Sequence, residues 1–158
     1  ASVLLTTALS GLAETASALG FGTSVTDLAL IGGIIDTAAA GNMSFSMPRD
    51  GIITGISAYF SLGLGMALLS TTVTVKAQLY ESTSPDNAFS PIAGTEVLLS
   101  PPYTGTISAG AVSSGVLSGL NITVDAGTRL LLVFSAEATG LDLIVSMLGI
   151  ASGGVAIS

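Results

Sequence analysis

The chain of 158 residues contains no cysteine, no histidine and no tryptophan. Without cysteine it can form neither a disulfide nor a thiolate site, and without cysteine and histidine it cannot build the usual zinc sites. The Ser-His-Asp and Cys-His arrangements of nucleophilic catalysis are excluded for the same reason. We therefore predict that the protein is not an enzyme and carries no cofactor and no metal.

Charge is the second scarcity. Only 8% of the residues are charged, and the three cations Arg49, Lys76 and Arg129 face ten Asp and Glu, which leaves a net charge of −7. Three cations cannot neutralise a stretch of phosphate backbone, so the sequence predicts no nucleic-acid partner. The same shortage argues against docking on anionic lipid.

The few charges leave a large uncharged surface. A folded chain of this size exposes on the order of 7,000 Å², and about a quarter of the residues of an ordinary soluble domain are charged. Because 49% of the residues are hydrophobic, one core of this size cannot absorb them all. Large uncharged surfaces are typical of interfaces, so the composition favours either a membrane or an oligomer.

The membrane alternative fits the sequence poorly. The two longest uncharged stretches, 51–75 and 97–124, are long enough to span a bilayer. The first, however, holds four glycines and many Ser and Thr, and the second holds Pro101 and Pro102. Neither has the Lys and Arg flank that sets orientation, and residues 1–20 lack the basic start of a signal peptide. We therefore predict no membrane insertion and favour an oligomer.

Alternation with a period of two dominates the chain and predicts β-strands. Residues 71–80 are the clearest case, with Thr71, Val73, Val75, Ala77 and Leu79 on the predicted core face. Residues 52–60 alternate less strictly, and there we predict Ile52, Ile56, Ala58 and Phe60 to point inward. Residues 130–136 (LLLVFSA) are apolar on both faces, which predicts a central strand covered on both sides.

Shorter strands are predicted at 45–47, 96–99, 104–108, 120–124 and 155–157. Turns are predicted at 48–51 (PRDG), 84–87 (SPDN) and 125–127 (DAG), because Pro, Asp, Asn and Gly favour turn conformations. Residues 1–20 fit either an amphipathic helix or a strand at 2–7, and we favour the strand. Frequent strands with turn signals between them indicate an all-β sandwich, and no linker divides residues 1–158, so we predict a single domain.

Two apolar, uncharged stretches are candidates for subunit contact, at 61–70 and 143–151. Their alternative is ordinary core. Arg129 precedes the apolar strand at 130–136 and could cross an interface to a carboxylate, since Arg is enriched at interfaces. The candidate interface residues are Leu62, Leu64, Met66, Leu68, Leu143, Val145, Met147, Ile150 and Arg129.

Other candidate sites are weaker. The closest carboxylate pairs, Glu137/Asp142 and Glu81/Asp86, come without the aromatic platform of a sugar site, and no calcium loop is present. A calcium ion shared between subunits would need Asp27, Asp36 or Asp142. Two tripeptides, at 42–44 and 121–123, match the N-glycosylation sequon. A lectin-like binding module on the same fold would have to use Tyr59, Tyr80, Tyr103 and Asn87.

Three runs resemble one known family in combination: FSMPRDGIITGISAYFS (45–61), VTVKAQLYESTSPDNAFSPIAG (73–94) and GTRLLLVFSAEATG (127–140). Together with GFG at 20–22 and the final ASGGVAIS, they look like the C-terminal domain of BclB-type collagen-like exosporium glycoproteins of spore-forming Firmicutes. The resemblance covers nearly the whole chain, although the Leu- and Met-rich run at 61–70 departs from it.

The resemblance implies a trimeric jelly roll of the C1q and tumour-necrosis-factor class at the tip of a collagen-like stalk, which is absent from this chain. It implies no catalytic residues. We therefore expect an all-β jelly-roll β-sandwich that forms a homotrimer and caps a collagen-like filament on the spore surface, the exosporium. Host-surface proteins or other exosporium proteins are further candidate partners. A lectin-like or adhesin-type binding module is the alternative function.

Overall fold

The computed structural model describes residues 2–19, 24–38, 43–84 and 86–158, and all of its regular elements within those ranges are β-strands. Accordingly, the described residues include no helix that is long and apolar enough to cross a membrane. The strands are β1 (Ser2–Thr7), β2 (Ala13–Leu19), β3 (Ser24–Ala29), β4 (Ile35–Asp36), β5 (Phe45–Ser46), β6 (Gly51–Leu62), β7 (Met66–Ser82), β8 (Ala88–Pro91), β9 (Val97–Leu98), β10 (Tyr103–Ile107), β11 (Val112–Val124), β12 (Arg129–Gly140) and β13 (Ser146–Ile157).

Eight of these strands have the pairing order of a jelly roll. One antiparallel layer runs β11-β6-β13-β1, and the other runs β5-β12-β7-β10. The first and last of the eight are neighbours in one layer, and the second and second-to-last are neighbours in the other, as in a double Greek key. The predicted all-β jelly-roll β-sandwich agrees with this architecture.

Backbone pairing continues from one layer to the other at both edges. On one side, β2 pairs with both β1 and β12. On the other side, β9 pairs with β7, and Ser100 forms an isolated bridge with Ser114 of β11. The close approach of β9 to β11 requires a residue without a side chain, because a Cβ at Gly115 would lie 2.8 Å from Val97 Cγ1.

The strand predicted at 71–80 is confirmed within β7. Its predicted core face is fully buried and most of the opposite face is half-buried. Tyr80, on that opposite face, is only 7% exposed. It is buried because a second layer of chain, made by β3, β4 and β8, covers the sheet at that point.

The prediction of which side chains in 52–60 point inward is right at one end of the segment and wrong at the other. Ile56, Ala58 and Phe60 are buried as predicted, but Ile53 rather than Ile52 points into the core. The cause is a bulge at Thr54: Ala156 of β13 pairs with Gly55, and the next residue, Ile157, pairs with Ile53. One extra residue on one strand reverses which side chains face inward beyond it.

The prediction for 130–136 is confirmed, since every residue of the segment is buried. Leu130, Leu132 and Phe134 belong to the main core between the two layers. Leu131 and Val133 belong to a second cluster on the opposite side of β12. That second cluster also contains Ala16, Ala18, Leu28, Ile35, Tyr80 and Phe89.

The shorter elements follow the predictions with shifted bounds. The five short segments overlap β5, β9, β10, β11 and β13, and residues 2–7 form β1. The helical alternative for residues 1–20 is wrong in the described part, because β1 and β2 form a hairpin there. The turn at 125–127 is present, with Thr128 N–H donating to Asp125 O. Gly20–Gly22, Asn42 and Pro85 lie outside the described residues.

Candidate subunit interface

Among the described residues, no second hydrophobic cluster covers the outward side of the β11-β6-β13-β1 layer as one covers the other layer. The side chains of this outward side alternate with core residues such as Val3, Phe60 and Met147. We call it the uncharged face. Its members are Ser2, Leu4 and Thr6 of β1; Ser146, Leu148, Ile150, Ser152 and Gly154 of β13; Ser57, Tyr59 and Ser61 of β6; and Val112, Ser114 and Val116 of β11.

Charge is missing from this face across four adjacent strands of the described chain. Small residues, mostly serine, surround a set of large apolar side chains that water reaches. Val116 is 76% exposed, Ile150 57% and Leu148 47%, and Val112 and Tyr59 are also exposed. Ile150 and Val112 flank Ser61 across three strands in register, so the apolar side chains share one face with serine between them. An uncharged face that exposes several large apolar side chains is typical of an interaction site.

The sequence-predicted interface residues divide between the protein core and its surface. Leu62, Leu68, Val145 and Met147 are buried and contribute to the main core of the chain itself. Leu64 and Ile150 are exposed, and Met66, Leu143 and Arg129 are half-buried. Of the nine, Ile150 alone lies on the uncharged face as defined above. Their role in subunit contact stays a prediction.

Arg129 is bound within its own chain. Its guanidinium lies 5.1 Å from the centre of the Phe89 ring, and its Nε is 3.3 Å from Ser44 Oγ. A further N–H donates to the carbonyl oxygen of Asp86. These contacts explain why a cation stands at the start of an apolar strand: Arg129 links Asp86, and Phe89 of β8, to β12.

Two of the carboxylates pair with Lys76. Lys76 Nζ lies 2.5 Å from Glu137 Oε1 and 3.2 Å from Glu96 Oε2. Burial lowers the pKa of Lys76, but the hydrogen bonds and attraction of the two carboxylates outweigh it and leave that pKa above 10.5. Glu137 is thus neutralised by a lysine rather than paired with Asp142. Among the described residues, no three carboxylates are grouped so that they could hold a metal ion.

The residues that a lectin-like site would use are dispersed or buried. Tyr80 and Tyr103 are 7% and 4% exposed. Tyr59 lies on the uncharged face, and Asn87 lies in the turn before β8. Of the two sequons, Asn42 is outside the described residues, and Asn121 is exposed at the irregular part of β11. The PRDG turn holds another turn in place, since Ala126 N–H donates to Asp50 Oδ1 at 2.7 Å.

Sequence reasoning did not single out Tyr59, Val112 and Val116 as interface candidates, although Leu148 lies in the candidate stretch 143–151. The three lie on β6 and β11, and serine or glycine stands two residues away on either side of each, so their outward face shows no apolar run. The available signal was the alternation itself: an outward strand face with Ser and Gly but no charge.

Comparison with known proteins gives one informative likeness. The chain is 29% identical over 154 residues to "Collagen-like protein 1" of Acanthamoeba polyphaga mimivirus, which covers 94% of this chain and 16% of that protein. It therefore spans about a sixth of that relative's length. No protein-family model and no solved structure matches. The likeness supports the prediction that this chain is a domain of a collagen-like protein.

Proposed function

We propose that this chain is the C-terminal domain of a collagen-like protein and that three copies associate through the uncharged face. The observation that carries the proposal is that face, which spans four strands, exposes five large apolar side chains and bears no charge among the described residues. Burial of apolar area is the dominant favourable term in protein association, and surfaces of this kind are rarely left open on a monomer.

The number of copies, three, follows from the collagen-like segment that such a domain would accompany. A collagen triple helix needs three chains held in one register. A globular domain that closes around a three-fold axis would align those chains before the helix winds. The likeness to a collagen-like protein and the jelly-roll order both support this role. Its function would then be structural and would not involve catalysis.

The location is proposed from the family resemblance. The runs at 45–61, 73–94 and 127–140 resemble exosporium glycoproteins, so we place the domain at the spore surface, at the outer tip of a filament. There it would be the part of the filament that meets host-surface or other exosporium proteins. The matching relative comes from a virus, so that likeness supports the collagen-like character and not the spore.

Molar mass in solution tests the trimer. Light scattering on a sizing column should give about 46.5 kDa, three times the 15.5 kDa of one chain, and the value should survive dilution. Val116→Asp and Ile150→Asp should each lower it towards one chain, because a buried unpaired carboxylate costs several kcal/mol. Leu98→Asp is the matched control, since Leu98 is 59% exposed but lies on β9, outside the face.

Two results would contradict the proposal. One is a mass near 15.5 kDa for the unaltered chain at every concentration. The other is a trimer that Leu98→Asp disrupts and the two face variants do not. In the second case the chain would still associate, but through another surface.

A further inference from the structure

The edge of β13 that faces β1 is paired over less than half of its length. Residues 146–150 pair with β1, and the last of these pairs joins Ile150 to Ser2. On the opposite edge, β13 pairs with β6 from Gly149 to Ile157. Within the described chain, no strand pairs with residues 152–157 on the side of β1. We call this stretch the open edge.

The pairing identifies the backbone groups that the open edge presents. In an antiparallel sheet, successive residues direct their N–H and C=O groups to opposite neighbours. Leu148 O accepts from Gly63 N–H on the side of β6, so the even-numbered residues of β13 face β6. The N–H and C=O groups of Gly153, Val155 and Ile157 therefore face the open edge, where no hydrogen bond from the described chain reaches them.

The core beneath the open edge is incompletely covered. The odd-numbered residues of β13 point inward, and Met147 and Ala151 among them are buried. Further along the same inward face, Gly153 is exposed, and Val155 and Ile157 are only half-buried although both pack on the main core. Burial of this face thus decreases where the pairing with β1 ends, and a strand on the open edge would cover the remainder.

The direction of β1 indicates which segment reaches the open edge. Because β1 runs antiparallel to β13, an extended chain that precedes Ser2 follows β13 towards Ile157. Counted in the same register, the residue before Ala1 would face Ser152, and the sixth residue before Ala1 would face Ile157. Such a segment needs no loop, and its covalent link gives it a high effective concentration at this edge that a separate partner lacks.

We propose that the segment preceding Ala1 in the longer protein extends β1 and pairs with residues 152–157 of β13. The inference rests on the proposed function, which places a collagen-like segment before this chain. The matched relative extends well beyond the part that this chain covers, which is 16% of its length. We expect small or apolar side chains at the second, fourth and sixth positions before Ala1, because these continue the inward face of Val3 and Leu5.

The consequence is a stiff junction between the domain and its stalk. The strand that leaves the domain would be part of the same sheet that carries the uncharged face. In a trimer, three such strands would begin their collagen-like segments at fixed positions around the three-fold axis, so the register of the domain would pass directly to the stalk.

Disulfide trapping tests the pairing, and residues 1–158 contain no cysteine that could interfere. The chain is extended by its native preceding residues, Gly154→Cys is introduced, and a second cysteine replaces the third residue before Ala1. These two positions face each other as a non-hydrogen-bonded pair, whose Cα atoms lie about 4.5 Å apart, within the reach of a disulfide. A Cβ at Gly154 meets nothing within 4 Å. Air oxidation should therefore convert both thiols into one disulfide within a chain.

The matched control moves the second cysteine by one residue, to the fourth position before Ala1. Successive side chains of a strand point to opposite faces, so this cysteine would lie on the other face of the sheet from Gly154→Cys and both thiols should stay free. Hydrogen exchange gives a second readout without any substitution. The amides of Gly153, Val155 and Ile157 should exchange rapidly in residues 1–158 and slowly in the extended protein.

Three outcomes would overturn the proposal. The first is equal oxidation of the two cysteine pairs, which would indicate a segment without fixed register. The second is a disulfide between the third position of one chain and residue 154 of another, which would mean that a second copy supplies the strand. The third is rapid exchange of the three amides in the extended protein.

Molar mass separates this inference from the trimer on which the proposed function depends. An extended protein that is trimeric but keeps both thiols free would leave the proposed function intact and refute the inference. An extended protein that is a single chain but forms the disulfide would support the inference and contradict the trimer.

Discussion

Tyr103 of β10 meets Phe60 of β6 edge to face, with ring centroids 6.0 Å apart and ring planes at 78°. The two strands belong to opposite layers of the sandwich. The Tyr103 hydroxyl lies 3.1 Å from Ala111 O and 3.3 Å from Phe60 O, so its one proton is shared between two carbonyl oxygens. This pair fastens the two layers of the sandwich together.

Tyr103→Phe should destabilise the fold modestly. It keeps the aromatic packing and removes only the hydroxyl. A typical hydrogen bond contributes a net stabilisation of about 1 kcal/mol. Urea unfolding at neutral pH should therefore give a lower midpoint with an unchanged slope. A midpoint equal to that of the unaltered chain would mean that the hydroxyl contributes nothing.

The same hydroxyl makes the fold sensitive to alkali. Burial, with a smaller effect of Tyr59, raises the pKa of Tyr103 to about 12, whereas in the unfolded chain it is close to 10. Because the folded pKa is the higher one, this stabilisation is complete below pH 10 and is lost as the pH rises through 12. Urea midpoints measured across this range should fall less for Tyr103→Phe than for the unaltered chain. Equal losses in both proteins would refute the assignment.

Replacing two glycines of β13 by alanine should affect stability very differently. A Cβ at Gly149 would press on the Phe60 ring and lie 2.5 Å from Ser61 O, whereas a Cβ at Gly154 meets nothing within 4 Å. Gly149→Ala should lower the free energy of unfolding by about 1–3 kcal/mol, the usual cost of overpacking a core. Gly154→Ala should leave it nearly unchanged. If thermal denaturation showed equal losses, the packing of β13 on β6 would differ from that described.

Replacing the buried Ser113 by alanine should stabilise the fold. Ser113 is 1% exposed, and its Oγ has no hydrogen-bond partner within the described chain. Ser113→Ala should raise the free energy of unfolding by about 1 kcal/mol, because it removes an unsatisfied buried polar group. Ser17→Ala is the control: Ser17 is equally buried, but its hydroxyl donates to Leu4 O at 2.8 Å. That variant should lose about 1 kcal/mol in the same urea titration.

The strands could be predicted because their patterns are local. Residues 130–134 are apolar at every position, which is typical of a strand covered on both sides. The inward side of Ile53 could not be predicted, because it depends on a bulge at Thr54 that is set by pairing with β13, about a hundred residues further along.

The surfaces were harder to predict than the core. The stretch at 61–70 looks uniform in sequence, but the chain reverses at 63–65, so Leu62 and Leu68 turn inward while Leu64 and Leu69 stay outside. The uncharged face combines β11, β6, β13 and β1, which no single window of sequence contains. Only the three-dimensional register shows that Ile150 and Val112 flank Ser61.

The central position of β13 dictates when the protein can fold during its synthesis. This strand lies between β1 and β6, and Ser2 pairs with Ile150. A nascent chain that has left the ribosome only as far as residue 145 therefore has two strands whose facing edges are open and have nothing to pair with. Contacts so distant in sequence form slowly, and open strand edges are prone to aggregate. The layer that carries the uncharged face is complete only when residues 146–157 have been synthesised, so this face cannot form on a shorter nascent chain.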